Sequence, residues 1–184
     1  DHHFGYNRVG DIDLLKSYSQ AYSYGVHKID QIENDGIPIS SSKIRIALAS
    51  DQINKANQFL GWSYEIKGIV EKGDGIGRTI GFPTANVGVL DAHQIIPSNG
   101  VYRVDVKIEG KIFGGMCNIG NRPTVGGTGS RIEVNIFLSE SLDLYSKEIT
   151  LIFREYLRNE KNFSSMDELK AQLKIDKKHC LEIN

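Results

Sequence analysis

VYRVDVKIEGKIFGGMCNI, residues 101–119, reads as two β-strands, Val101–Ile108 and Lys111–Ile119, joined by Glu109–Gly110. The side-chain period is two, and a two-residue spacer containing glycine suits a tight antiparallel hairpin. The same period runs through Tyr64–Val70, Ile132–Leu138 and Ile149–Tyr156. Five or six short strands separated by turn signals predict a small closed antiparallel barrel from Trp62 onward. A helix closes this region. Ser165-Met166-Asp167-Glu168 has the form of a capping box, and Leu169 and Leu173 supply an apolar stripe.

Upstream of Gly61 the pattern differs. Asp11–Tyr24 carries Ile12, Leu15, Tyr18 and Tyr22 at helical spacing, and Val26–Ile32 is a strand candidate. Ser40, Ser41 and Ser42 offer caps for a second helix containing Ile44, Ile46, Ala47 and Leu48. A third helix, Asp51–Leu60, stops at Gly61, the usual residue just past a helix end. A complete phosphate-binding α/β domain needs roughly 100 residues. Only about 60 precede the barrel, so residues 1–61 read as the last part of such a domain and residues 62–184 as the barrel domain.

Of the 184 residues, 40% are hydrophobic and 24% charged, with a net charge of −1. That balance gives no electrostatic reason for a nucleic-acid or anionic-membrane partner. No apolar run reaches the roughly 18 residues of a membrane-spanning helix. The first ten residues lack the basic-then-apolar order of a signal peptide. Cys117 and Cys180 are far apart with no CxxC pattern, so a reduced cytoplasmic setting is the economical reading, with a single disulfide as the alternative. The five histidines are scattered, which disfavours a histidine metal site.

Gly73-Asp74-Gly75-Ile76-Gly77-Arg78-Thr79-Ile80-Gly81-Phe82-Pro83-Thr84-Ala85-Asn86 follows the first barrel strand. Four glycines in nine residues free the backbone to curl so that N–H groups face an anion. A plain flexible turn is the alternative. The stretch is neither GxxxxGK[ST] nor GxGxxG. On extended backbone Thr84 and Asn86 share a side and present hard oxygens suited to Mg²⁺ held by phosphates. The alternative is a turn in which Asn86 bonds its own backbone. Farther on, Ile132, Val134, Ile136 and Leu138 occupy one strand face and Glu133, Asn135 and Phe137 the other. By pattern alone a strand glutamate is a solvated one.

GRTIGFPTAN closely resembles the signature of riboflavin kinases, whose fold is a small Greek-key β-barrel. Gly100-Val101-Tyr102, Asn118-Ile119-Gly120, Arg122-Pro123-Thr124 and Tyr156-Leu157-Arg158-Asn159-Glu160-Lys161-Asn162-Phe163 match that family in order, so the likeness runs from about Trp62 to the C-terminus. The resemblance implies ATP-dependent phosphorylation of the riboflavin 5′-hydroxyl to FMN. It places Gly73, Gly75, Gly77, Arg78 and Gly81 at the nucleotide, and Thr84 and Asn86 at the metal and phosphates. It makes Glu133 the base that accepts the hydroxyl proton, the carboxylate that such a transfer needs. It puts Arg158 and Phe163 at the flavin, with packing beneath the last helix the alternative for Phe163, and Leu151 and Phe153 at the adenine. The implied cofactor is Mg²⁺, with Zn²⁺ the alternative, and the implied partners are ATP, ADP, riboflavin and FMN. No nucleic acid, membrane or obligate protein partner is called for.

Asp1-His2-His3-Phe4-Gly5 and Ser40-Ser41-Ser42-Lys43-Ile44-Arg45 resemble late motifs of the FMN adenylyltransferase domain that bacteria fuse ahead of riboflavin kinase. Ser42 stands where threonine is usual. Serines at a helix start with Arg45 nearby suit an anion, and ordinary helix capping is the alternative. The HxGH-type nucleotide motif of that domain is nowhere in these residues, so the expectation is FMN formation without FAD formation. Two other classes compete with a kinase. A passive flavin-binding barrel needs neither a base nor a metal–phosphate site, and an oligonucleotide-binding barrel needs a basic, aromatic-studded face.

Overall fold

The computed structural model describes residues 3–73, 75–124, 127–138 and 143–182, with side chains except at 76 and 122–129. Asp1, His2 and Asp74, and the side chains of Arg122-Pro123-Thr124, therefore lie outside the described residues. The chain forms two compact units, Asp1–Ile39 and Ser40–Asn184.

In the first unit, helix α1 spans Ile12–Ser19. Asp11 caps it, its carboxylate accepting from the Leu14 N–H at 2.9 Å. The helix stops five residues short of Tyr24 because none of its side chains is buried and Ser23 takes φ 52, which a right-handed helix does not tolerate. Val26–Ile32 is not a strand. The pairing falls just beyond it, in a hairpin of β1 (Glu33–Asn34) and β2 (Ile37–Pro38). Asp35 and Gly36 have φ 50 and 72, the left-handed pair that a two-residue hairpin turn requires.

The second unit begins with α2 (Ser41–Ala49) and α3 (Ile53–Leu60). Gly61 ends α3 in the left-handed region at φ 80. Six strands follow: β3 (Glu65–Glu71), β4 (Ala85–Val89), β5 (Gly100–Ile108), β6 (Lys111–Thr124), β7 (Gly127–Ile136) and β8 (Glu148–Arg158). They close into an antiparallel barrel in the order β3-β4-β7-β6-β5-β8, with β8 pairing back to β3. β5, β6 and β7 form a meander and β8 returns beside β5, which is a Greek key. The Glu109–Gly110 turn is present, with φ 48 and 82. β4, which contains Gly88, is the strand that hydrophobic patterning overlooks. β6 and β7 also run farther than their apolar stretches, because ladder hydrogen bonds hold Gly120–Thr124 against Gly127–Arg131 whatever the side chains.

The barrel interior is filled by Tyr102, Val104, Val106, Ile119, Val134, Leu151 and Phe153, all 0% exposed. The Tyr102 ring meets Phe153 edge-on at 5.3 Å. Ala47, Leu48, Ile53 and Ala56 of α2 and α3 join the same cluster. Asn57 clamps α3 to the barrel, donating to the Phe153 carbonyl at 2.9 Å and accepting from the Tyr64 N–H at 2.7 Å. The compact unit therefore starts at Ser40, well before the change of period at Gly61.

Helix α5 (Met166–Glu182) is the last element among the described residues. Ser165 Oγ accepts from the Glu168 N–H at 3.2 Å, and Glu168 reaches back to the Ser164 N–H at 3.0 Å. Leu173 and Cys180 of α5 join a second, smaller apolar cluster with Phe82, Met116, Phe137 and Leu157. Met116 and Phe137 stand on the outer face of β6 and of the chain continuing from β7. Their neighbours Cys117 and Ile136 face the barrel interior.

Candidate functional site

The outer face of β4, β7 and β6 forms the floor of the site. Strand register sets Asn86 directly opposite Glu133, and Glu133 directly opposite Asn118. Three polar side chains are thus aligned across three adjacent strands. Inward-facing Ile132, Val134 and Ile136 are buried, so the alternation leaves Arg131, Glu133 and Asn135 on this outer face. At Asn135 that face is covered. Asn135 is 5% exposed, and its amide donates to the Pro83 carbonyl at 2.6 Å. This bond ties the segment before β4 to β7.

The glycine-rich segment overhangs the floor. It makes one helical turn, α4 (Ile76–Thr79), entered through Gly75 at φ 71, a conformation that favours glycine. Phe82 N–H returns to the Gly77 carbonyl at 2.8 Å. A Cβ on Gly77 would overlap the Phe82 carbonyl and press on Thr84 Oγ1. Close approach between loop and Phe82-Pro83-Thr84 therefore demands glycine there.

Between this loop, the strand floor and α5 lies a cavity of about 370 Å³, within the usual size range of small-molecule sites. Gly75, Gly77, Thr84, Glu133, Arg158 and Phe163 all line it. These are the sequence-predicted residues that folding brings together. Asn86 stands beside them, its side-chain oxygen accepting from Arg131 Nε at 3.1 Å. Gly73 lies against the Asn86 amide, Gly81 makes a left-handed turn at φ 82, and Arg78 is exposed on α4; none of the three lines the cavity.

Two groups of predicted residues sit elsewhere. Leu151 and Phe153 are 0% exposed inside the barrel and line no part of the cavity. Their alternation on β8 points them inward, leaving no surface for an adenine ring. Ser40 caps α2, accepting from the Lys43 N–H at 3.3 Å, and Ser41, Ser42 and Arg45 are exposed. None of these four lines the cavity; Ser40 serves as the helix cap.

Arg158 reaches the cavity wall with its guanidinium engaged. Nη2 lies 2.7 Å from Asp176 Oδ2 on α5, and Nη1 donates to the Asn159 carbonyl at 2.9 Å. Residues the sequence reading passed over also contribute. Arg131 lines the cavity, and its Nη2 is 2.6 Å from Glu133 Oε1. Its signal was its place two residues before Glu133 on one strand. Asn118 donates to Glu160 at 3.3 Å. Beneath the floor, burial pushes the Cys117 thiol far up, and the negative charge of Glu133 adds to the effect. Both cysteines are free and buried.

Comparisons with known proteins show the family. The family described as Flavokinase: Riboflavin kinase matches residues 60–184. The chain is 42% identical to the bifunctional riboflavin kinase/FMN adenylyltransferase of Escherichia coli K12 over 177 residues, which is 96% of this chain and 56% of that protein. The protein of the same description from Bacillus subtilis is 39% identical over 160 residues, 85% of this chain and 50% of that one. The chain thus spans about half the length of the curated relatives it matches. A solved structure titled as a macrolide-efflux protein from Streptococcus pneumoniae superposes with a TM-score of 0.90 at 33% identity, over 100% of this chain and 59% of that one. Among the described residues no helix is long and apolar enough to cross a membrane.

Proposed function

The chain belongs to the riboflavin kinase family, and from that premise we propose that its cavity transfers the terminal phosphate of ATP to the 5′-hydroxyl of riboflavin. The observation that carries this reading is the position of Glu133. Its carboxylate, with the side chain 25% exposed, stands in the cavity wall in register with Asn86 and Asn118.

In the proposed reaction the hydroxyl oxygen of riboflavin forms a bond to the γ-phosphorus as the bond from that phosphorus to the ADP oxygen breaks. The hydroxyl proton passes to the Glu133 carboxylate. FMN and ADP leave. Phe163 offers an apolar ring to the flavin. Arg158, held by Asp176, would act on the flavin side as a fixed wall more than as a mobile donor.

A hard cation fits this site only as a companion of phosphates. Among the described residues no cluster of three or more His, Cys, Asp or Glu could hold a metal ion. Thr84 and Asn86 are neutral oxygen donors, the kind that complete the shell of a Mg²⁺ ion already carried by phosphates. Such an ion, when bound, neutralises charge developing on the phosphate oxygens. Zn²⁺ in that place would be less well matched to an all-oxygen shell. The partners we propose are accordingly ATP and riboflavin.

The test is incubation of the purified chain with ATP, riboflavin and Mg²⁺, with FMN, FAD and ADP resolved by chromatography. FMN and ADP should accumulate in equal amounts, and FAD should not, since the nucleotide motif of an adenylyltransferase is not among these residues. Tight riboflavin binding with no FMN would instead mark a passive flavin carrier.

A further inference from the structure

We propose that Arg131 is a positioning residue for the terminal phosphate of the nucleotide, and that taking up this phosphate uncovers Glu133. The proposal rests on the kinase reading of the cavity.

The argument begins with the strand. Arg131 and Glu133 are two residues apart on β7 and project from the same outer face. The Arg131 guanidinium spans the two groups assigned to opposite halves of the reaction. Nε donates to Asn86 at 3.1 Å, on the nucleotide side. Nη2 meets Glu133 Oε1 at 2.6 Å, on the acceptor side. The Arg131 side chain is 31% exposed and lines the cavity, so a ligand there can reach it.

As it stands, a guanidinium covers one of the two carboxylate oxygens of Glu133, Oε1, and that oxygen's lone pairs are turned away from a substrate hydroxyl. A partly exposed arginine–carboxylate pair is a weak bond in water. A phosphate brings more charge and a geometry matched to the planar fork, so it is the stronger partner. Transfer of the guanidinium from Glu133 to the terminal phosphate is a side-chain swing, with Nε already against Asn86 beside the glycine-rich loop. The exchange would hold the phosphoryl group and free the carboxylate together. ADP, which lacks that phosphate, would leave the pair closed.

The experiment compares ATP and ADP binding by calorimetry in the presence of Mg²⁺, for the wild-type chain, Arg131→Gln and Arg131→Lys, alongside riboflavin affinity and FMN formation. Losing one charge-assisted phosphate contact should weaken ATP binding roughly tenfold or more in Arg131→Gln, while ADP changes less than about twofold. Riboflavin affinity should hold. Arg131→Lys, which keeps the charge without the fork, should recover part of the ATP deficit. Equal losses for ATP and ADP, or no loss for either, would overturn the proposal and leave Arg131 a structural tether. Should Arg131→Gln fail to fold, the lysine variant decides through the same ATP-to-ADP ratio. Failure of the wild-type chain to form FMN would sink the kinase reading separately, whatever that ratio shows.

Discussion

Arg158 at the end of β8 and Asp176 on α5 are joined fork to fork, with Nη2 2.7 Å from Oδ2 and Nε 3.1 Å from both carboxylate oxygens. Their side chains are 14% and 5% exposed, and Gln172 donates to the remaining side of the carboxylate at 2.8 Å. The pair fixes the helix that covers the cavity to the strand that leads into it.

Breaking that pair from one side should be costly. Asp176→Asn leaves the largely buried Arg158 guanidinium without its counter-charge, and loss of one partner of a buried pair costs about 3–5 kcal/mol. Urea unfolding of the variant should show a correspondingly lower midpoint. Riboflavin affinity should drop as well, because Leu169 and Leu173 of the same helix line the cavity. A stability loss below about 1 kcal/mol, the level of an exposed pair, would mean that α5 is held by its apolar contacts alone.

Glu133→Gln keeps size and most of the packing while removing the proposed base. Folding and riboflavin affinity should survive, and FMN formation should fall by roughly 10²–10⁴. Residual turnover is expected, since positioning and charge stabilisation carry most of phosphoryl transfer. If affinity holds and the rate changes less than about threefold, well short of the effect of losing a base, Glu133 is a structural strand residue.

Asn135→Ala removes the donor to the Pro83 carbonyl. A lost buried hydrogen bond costs about 1–3 kcal/mol, and the segment leading to Thr84 loses its tie to β7. The KM for ATP should rise more than the KM for riboflavin. Parallel rises in both would place the effect in the fold as a whole rather than at the nucleotide end.

Alkaline pH should destabilise the protein. Burial raises the Cys180 thiol from its ordinary 9.0 to about 11, pushes Cys117 up as well, and lifts the Tyr102 hydroxyl to about 12 against the opposing bond to Ser98. The unfolded chain gives up these protons at ordinary values while the folded chain keeps them. Above pH 9 the unfolded state therefore binds fewer protons, and stability declines as pH rises through about 11. Urea midpoints from pH 7 to 10.5 should be level at first and then decline. A flat profile across that range would show that these groups ionise in place without opposing the fold.

The barrel was legible because its cause is local. Alternation along β3, β5 and β8 and the Glu109–Gly110 turn dictate faces and a hairpin by short-range sterics, and the capping box announces α5 in the same way. The glycine-rich segment, Thr84 and Glu133 could be singled out only through the resemblance of their motifs to the riboflavin kinase family, since by pattern alone a strand glutamate is a solvated one. Other features depended on partners distant in the chain. Leu151 and Phe153 carry no mark that separates a core residue from a pocket wall; the inward side of β8 buries them. Arg131 gives no sign of spanning Asn86 and Glu133 until β4 pairs with β7, 45 residues away from Asn86 in sequence. The tie between Arg158 and Asp176 likewise exists only once α5 folds back on the strands. The sequence by itself determined which segments extend, turn or coil, since those preferences act between near neighbours. Which face closes inward, and which charges meet on the other, was decided by barrel closure, because only register between distant strands brings those side chains within reach.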